Sequence, residues 1–517
     1  MKSNLMKSPL RILAILLFVT HASCADTTLK LSGLFSDHMV LQRDQAVPIW
    51  GWCEPGEDVV VEFAGQVRTA KADTAGKWVV KLEPLKASAE GRELVVAAGS
   101  GKSKITDVVV GDVWLCSGQS NMHFRMETVD KAPQEIAAAN HPAIRFFSVE
   151  QQFGLKPKAD VQGAWKLVSP ATVADCSAVA YYFAADLQRK LGVPVGLLIS
   201  SVGGTRIETW MRPETLAATG EGRSLVERWK DVSSDEFEKI GAAYSAFQHE
   251  RDRVYPQAAR DAKAQGSPVP PEPKMPKLRC HDCPGSLHNG MIAPLESFAI
   301  RGAIWYQGES NSGQPGPYKK MLPAMIADWR RVWGSDLPFL FVQLAPYRST
   351  HPAFREAQHR IWQKTPRTAM AVTTDVGDAN NIHPTRKRPV GERLALAARA
   401  LSYGEKIDFC GPDFKNIRID GGRAVISFEH IGGGLISKGD TLKGFTIAGR
   451  DGKFIPANAM IDGSTVIVSS DKVAKPMAVR YNWAMLPDGN LFNREELPAA
   501  PFRSDMPADA MPDAEPK

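Results

Sequence analysis

Apolar positions gather into four near-continuous runs along this chain, and each run ends in a short polar segment. Residues 108–115 lead into Ser117-Gly118-Gln119-Ser120-Asn121, and residues 193–199 into Gly203-Gly204-Thr205. Residues 299–306 lead into Gln307-Gly308-Glu309-Ser310-Asn311, and residues 369–374 into the stretch from Asp375 to His383. Unbroken apolar runs are what parallel strands covered on both faces require. In open α/β sheets, ligands bind in the crevice outside the carboxyl ends of the strands. The pattern therefore predicts four polar clusters converging on one site.

Between these runs the spacing turns helical. Residues 180–191, 318–333 and 391–401 read as amphipathic helices, so residues 106–405 are expected to form an α/β domain with a parallel sheet. A stretch at about 214–285 interrupts the alternation: helical and charged over 225–254, then rich in proline (Pro268, Pro270, Pro271, Pro273, Pro276). It reads as an insertion, either a lid over the sheet edge or a surface excursion. Residues 26–105 look all-β, with short strands at 46–52, 58–63, 77–82 and 93–98 separated by turn signals such as Glu54-Pro55-Gly56. Residues 406–506 return to β character, and residues 507–517 form an acidic, proline-rich tail expected to be disordered.

Length and composition bound the picture. At 517 residues, 44% hydrophobic and 23% charged, the chain is long enough for two or three domains. Its net charge of +6 is spread out, without a basic run interleaved with aromatics, which argues against nucleic acid as a partner. The short stretch Arg386-Lys387-Arg388 reads as a solvated helix entrance. Residues 1–25 read as a signal peptide: Lys2, Lys7 and Arg11 precede an apolar stretch at 12–19, with small residues at Ser23-Cys24-Ala25. That stretch is too short for a stable membrane span. Export to a periplasm or the exterior, with cleavage near Ala25, is the expectation. A lipid-modified Cys24 is the alternative, against which His21 stands where an aliphatic residue would be wanted.

Six cysteines follow the signal: Cys53, Cys116, Cys176, Cys280, Cys283 and Cys410. Cys280 and Cys283 form a lone Cys-x-x-Cys without a second ligand pair beyond His281 and His288, so a local disulfide or two free thiols is preferred to zinc. Cys116 lies within a buried-strand pattern and reads as core.

Ser120 has the setting of a nucleophile, between a strand and a helical segment with Gly118 permitting a tight turn. Such a serine needs a base for its proton and backbone N–H groups aimed at the developing oxyanion. Taken alone, Ser117 and Ser120 read as helix caps. His383, followed by the helix-opening Pro384, supplies the candidate base from an equivalent strand end.

These blocks carry a resemblance. Trp114-Leu115-Cys116-Ser117-Gly118-Gln119-Ser120-Asn121-Met122, Gly203-Gly204-Thr205, Trp305-Tyr306-Gln307-Gly308-Glu309-Ser310-Asn311 and Ile382-His383-Pro384 resemble, in order, those of the sialate O-acetylesterase family of SGNH hydrolases. Leu287-His288-Asn289-Gly290-Met291-Ile292 is similar to a further family stretch, with histidine where an aromatic is usual. The resemblance covers essentially the whole chain beyond the signal. It implies an SGNH-type parallel sheet with helices on both faces, flanked by β-sandwich-like N- and C-terminal regions. It also implies Ser120 as nucleophile and His383 as base, with an oxyanion hole from the Ser120 N–H, the Gly203-Gly204 turn and a side chain of the third block. Serine stands where the superfamily's Gly-x-Asn-Asp has its asparagine, so Gln307 is the substitute donor and Asn311 the second choice.

The superfamily aspartate three residues before the histidine is Asn380 here. Asp378 or Asp375 could bend back to orient the imidazole; alternatively a backbone carbonyl does so and a Ser–His dyad operates. Both aspartates also read as turn residues. Arg206, Glu208 and Asn289 are the substrate-binding candidates, although an ion pair explains the first two equally well. Trp210 and Trp305 could stack on a sugar or belong to the core.

The implied activity is removal of O-acetyl groups from sugars through an acetyl-serine intermediate, with no metal or organic cofactor. Polysaccharide deacetylation of the acetylxylan type is an alternative substrate reading. A catalytically silent carbohydrate-binding protein on the same scaffold is the alternative from another class.

Overall fold

The structure is a computed structural model describing residues 29–505, apart from Ser335 and the side chain of Asp252. The expected signal segment and acidic tail lie outside the described residues. Among those residues, no helix is long and apolar enough to cross a membrane.

Seven strands build the central sheet: β1 (Gly101–Gly118), β2 (His141–Ser148), β3 (Trp165–Val168), β4 (Val195–Ser201), β5 (Gly302–Tyr306), β6 (Phe339–Val342) and β7 (Thr368–Ala371). Their order is β3-β2-β4-β1-β5-β6-β7, parallel except for the antiparallel edge strand β3. Every residue of β4, β5 and β7 is buried, as the apolar runs predicted, and so is every residue of β6, which lies on none of those runs. Helices cover both faces. Ala178–Leu191 (α2, following the short α1, Ser120–His123) packs on Arg388–Tyr403 (α5). Pro315–Trp333 (α3) packs on Pro352–Lys364 (α4). This is the α/β architecture that the sequence predicted.

At the N-terminal side, strands such as Asp58–Phe63 and Lys77–Leu82 alternate buried and exposed residues, and so line the core of a two-sheet layer. The expected break near residue 105 falls inside β1. Its first half pairs antiparallel with Ser88–Ala98, and its second half enters the central sheet. One continuous hydrophobic core spans both regions. The C-terminal strands enclose a separate core around Ile426, Val468, Ile447 and Tyr481. That region is fastened to α4 by the buried Arg355, whose guanidinium donates to the Ala484 and Met485 carbonyls, each at 2.7 Å.

The insertion contains the helices Arg223–Trp229, Ser234–His249 and Tyr255–Ala264, followed by exposed proline-rich chain. Trp229, Phe237, Cys280 and Cys283 form a small core of its own. All six described cysteines are buried free thiols, including Cys280 and Cys283.

Asp112, at the start of the parallel segment of β1, is fully buried and joins three parts of the chain. It accepts from Arg43 (2.9 and 3.0 Å), Arg301 (3.0 Å), Gln42 (3.1 Å) and the Tyr403 hydroxyl (3.0 Å). Burial alone would push its carboxyl upward, but the guanidiniums and hydrogen bonds outweigh this and hold it below the usual carboxylate range. Asp112→Asn is expected to destabilise the protein by roughly 2–4 kcal/mol in denaturant unfolding. That is a little under the loss for a fully buried pair, because both arginines retain some solvent.

Candidate active site

The carboxyl ends of β1, β4, β5 and the loop after β7 meet at one rim. There Ser120 Oγ and His383 Nε2 lie 2.7 Å apart, although 263 residues separate them in the chain. Both side chains are half-buried.

Backbone geometry explains how Ser120 is presented. Gly118 has φ +137°, and a Cβ there would sit 2.2 Å from the Tyr306 carbonyl oxygen. Only glycine lets β1 end this close to β5. Gly308, two residues beyond the end of β5, has φ +148°, and a Cβ there would strike the Phe354 ring. Ser120 then opens the four-residue α1 directly after the turn.

Side-chain amides tie the adjoining turns together. Gln119 Oε1 accepts from the Gly308 and Ser310 N–H groups at 3.2 and 3.3 Å. Gln307 donates to the Thr205 carbonyl at 3.2 Å and to Asn311 Oδ1 at 2.8 Å. Asn311 Oδ1 also accepts from the Ile207 N–H at 3.0 Å, and its Nδ2 donates to Glu208 Oε2 at 2.9 Å. These bonds correct three expectations. The Gln307 amide hydrogens are spent on loop bracing and cannot serve an oxyanion. Asn311 is 1% exposed and held in the same network, so it cannot serve one either. Glu208 is buried against Asn311 and has no ion pair with Arg206.

Asn289 is a fourth correction. It is buried, with Nδ2 donating to the Gly154 and Leu155 carbonyls at 3.1 and 2.9 Å and Oδ1 lying 3.4 Å from His288 Nδ1, so its amide hydrogens are spent within the protein. Trp210 and Trp305 are buried and pack edge to face in the core. Gly203 lies against Ser120, since a Cβ on it would come 3.4 Å from the Ser120 Cβ. Gly203, Gly204 and Arg206 are exposed. Among the described residues, the backbone N–H groups of Ser120, Gly203 and Gly204 donate to no protein acceptor, and the Arg206 guanidinium has no side-chain partner.

Neither expected aspartate reaches the imidazole. Asp378 caps its own turn: Oδ1 accepts from the Asn380 and Asn381 N–H groups at 2.8 and 3.1 Å. Asn381 Oδ1 in turn accepts from the His383 N–H at 2.9 Å. Asp375 is gripped by both Arg393 Nη atoms, each at 2.7 Å. The carboxylate expected to orient the ring instead shapes the loop on which the ring stands. Burial lowers the His383 imidazole below its ordinary value, and the nearby Lys387 ammonium adds to this.

Sequence reasoning missed Lys387. The basic stretch expected to be solvated has Arg386 and Arg388 exposed, but Lys387 is 1% exposed and donates to Asn121 Oδ1. Glu309, beside it, was read only as part of a block. A charge pattern alone carries no signal that the middle residue of three cations turns inward. Among the described residues, no group of His, Cys, Asp and Glu is arranged to hold a metal ion.

Comparison with known proteins places this geometry. A profile for carbohydrate esterases that are sialic acid-specific acetylesterases matches residues 110–263 and 284–400, more than half of the chain. The chain is 30% identical to the Mus musculus protein named sialate O-acetylesterase, over 92% of this chain and 93% of that one. It is 29% identical to the Homo sapiens sialate O-acetylesterase, over 92% of each. The crystal structure of a carbohydrate acetylesterase from Xanthomonas citri superimposes with a TM-score of 0.77 at 37% identity, covering 92% of this chain and 99% of that one. The chain belongs to the sialic acid-specific acetylesterase family of carbohydrate esterases.

Proposed function

We propose that this carbohydrate esterase removes O-acetyl groups from sugars with Ser120 as nucleophile and His383 as general base, acting as a dyad. The observation that carries the assignment is the 2.7 Å contact between Ser120 Oγ and His383 Nε2. Oγ attacks the acetyl carbonyl carbon while Nε2 takes its proton. The tetrahedral intermediate collapses, the sugar oxygen leaves and recovers that proton from the imidazolium, and acetyl-Ser120 remains. Water then attacks the acyl carbon, giving its proton to Nε2, and acetate departs as Oγ is reprotonated. The free N–H groups of Ser120 and Gly203 supply the oxyanion donors in this scheme. Loop rigidity, from the Asp378 cap and the Asn381 bond, takes the place of an orienting carboxylate.

An acidic sugar is the favoured substrate. The curated relatives are named for sialate, and Arg206 stands exposed and unpaired three residues from Gly203, suited to a carboxylate. Acetylxylan-type polysaccharides remain the second reading, because the acyl-transfer groups are indifferent to the sugar. Export remains part of the proposal and rests on the N-terminal residues alone.

Ser120→Ala is expected to abolish p-nitrophenyl acetate hydrolysis, and His383→Ala to be nearly as damaging, each losing about 1,000-fold or more in kcat. Equal rates for wild type and Ser120→Ala would remove the assignment. Asp378→Asn should keep kcat/KM within about 3-fold, because asparagine caps the same turn. A much larger loss would restore an acid to the mechanism.

His383 must be neutral to accept a proton, and its folded value lies below the ordinary one. Activity should therefore persist as pH falls past about 6.5 and be lost only below it, as read from the acid limb of kcat/KM. Arg206→Ala should raise KM for an O-acetylated sialic acid by about 10-fold while sparing p-nitrophenyl acetate. Acetate release from a panel of acetylated glycans decides between the two sugar classes.

A further inference from the structure

A buried cation stands beside the Ser120 turn, and the hydrolytic scheme gives it no task. Lys387 immediately precedes α5, with its Nζ donating to Asn121 Oδ1. Nζ also lies 4.6 Å from the ring centre of Phe124 and 5.4 Å from that of Tyr306. Asn121 Nδ2 donates in two directions, to Glu309 Oε1 at 2.5 Å and to the Ile382 carbonyl at 3.0 Å. The second Glu309 oxygen is buried without a hydrogen-bond partner.

The arrangement uses the whole carboxamide. An asparagine amide has two hydrogens and one strong acceptor. Here the acceptor faces a cation, one hydrogen faces a carboxylate, and the other faces the peptide preceding His383. Charge therefore fixes which way Asn121 points, and Asn121 is covalently next to Ser120. The buried link joins the serine turn, the β5 turn, the histidine loop and the start of α5.

We propose that Lys387 and Glu309 form a buried charge couple which, acting through Asn121, positions Ser120 against His383 during ester hydrolysis. Lys387 is in this account a positioning residue. The inference rests on the Ser120 and His383 assignment and adds the means by which their separation is held.

The electrostatic surroundings support it. Groups facing Lys387 are Glu309 from the turn after β5, the phenol of Tyr306 at the end of β5, and His383 from its own loop. Its chain neighbours are engaged elsewhere: Arg388 pairs with Glu135 at 2.5 Å, and Arg386 donates to the Asp375 carbonyl at 3.3 Å. Asp130 is occupied by the Thr385 hydroxyl. Burial pulls the Lys387 ammonium down to about 7 against the opposing attraction of Glu309. Burial likewise pushes the Glu309 carboxyl up, against hydrogen bonds and the lysine that lower it. A protonated Lys387 disfavours imidazolium at His383, so removing that charge should move the acid limb to higher pH.

The test is kinetic and uses the full chain. Wild type, Lys387→Met, Glu309→Gln and the double variant are assayed on p-nitrophenyl acetate from about pH 5 to 9, with thermal unfolding of each and Ser120→Ala alongside. Expected for Lys387→Met is a fall in kcat of about 10-fold or more, KM within about 2-fold, and an acid limb displaced upward. The double variant should regain about 3-fold or more in kcat over Lys387→Met, since neither charge is then stranded. If Lys387→Met does not fold, the isosteric Glu309→Gln carries the test, with kcat expected to fall about 3-fold or more at constant KM.

Wild-type kcat and an unmoved limb in folded Lys387→Met would overturn the proposal. So would a double variant no better than the single, or unchanged kcat in Glu309→Gln. If Ser120→Ala were fully active, the underlying assignment would fall; an inactive Ser120→Ala beside a normal Lys387→Met would sink the charge couple alone.

Discussion

Four strands ending at one rim bring four turns into contact, and their polar groups must be satisfied with little help from solvent. The carboxamides of Gln119, Asn121, Gln307 and Asn311 meet much of that requirement, while Gln307 Oε1 and one Glu309 oxygen stay buried without a partner. Gln119 binds the β5 turn, Gln307 and Asn311 bind the β4 turn, and Asn121 reaches the histidine loop. An unmade hydrogen bond in such a place costs about 1–3 kcal/mol, so each amide is held to one orientation. The placement of Ser120 and His383 follows from this bracing. Glycines at 118 and 308 let the backbones come close enough for the amides to reach.

This constraint also explains what the sequence made legible. Strands buried on both faces announced themselves as apolar runs, and β1, β4, β5 and β7 each lie on one. The alternating strands Asp58–Phe63 and Lys77–Leu82 were found with the same bounds that the structure shows. The strand β6 was passed over, although it is as long and as buried as β7. The edge pair β2 and β3 was also passed over. Convergence of serine and histidine could be inferred from topology, because strand ends on one sheet edge are neighbours wherever they fall in the chain.

Orientation could not be inferred. Gln307 and Asn311 had the chemistry of oxyanion donors, but their hydrogens point to Thr205 and Glu208. Asp378 and Asp375 had the chemistry of an orienting acid, but one caps a turn and the other is paired with Arg393. Lys387 differed from its exposed neighbours only in the direction of its side chain. Each misreading concerns a residue whose type was right for a role that its hydrogen bonds exclude. Residue type limits what a side chain can do, and the local network decides what it does.

The 18-residue β1 has a mechanical meaning as well. One uninterrupted extended segment belongs to the N-terminal layer at its start, and Ser120 stands two residues beyond its end. Its ladder with Ser88–Ala98 shifts register at two places, yet the strand itself stays extended from that layer to the rim. The N-terminal layer is thus structurally continuous with the rim that carries Ser120, and its loss would leave the central strand without pairing along half its length.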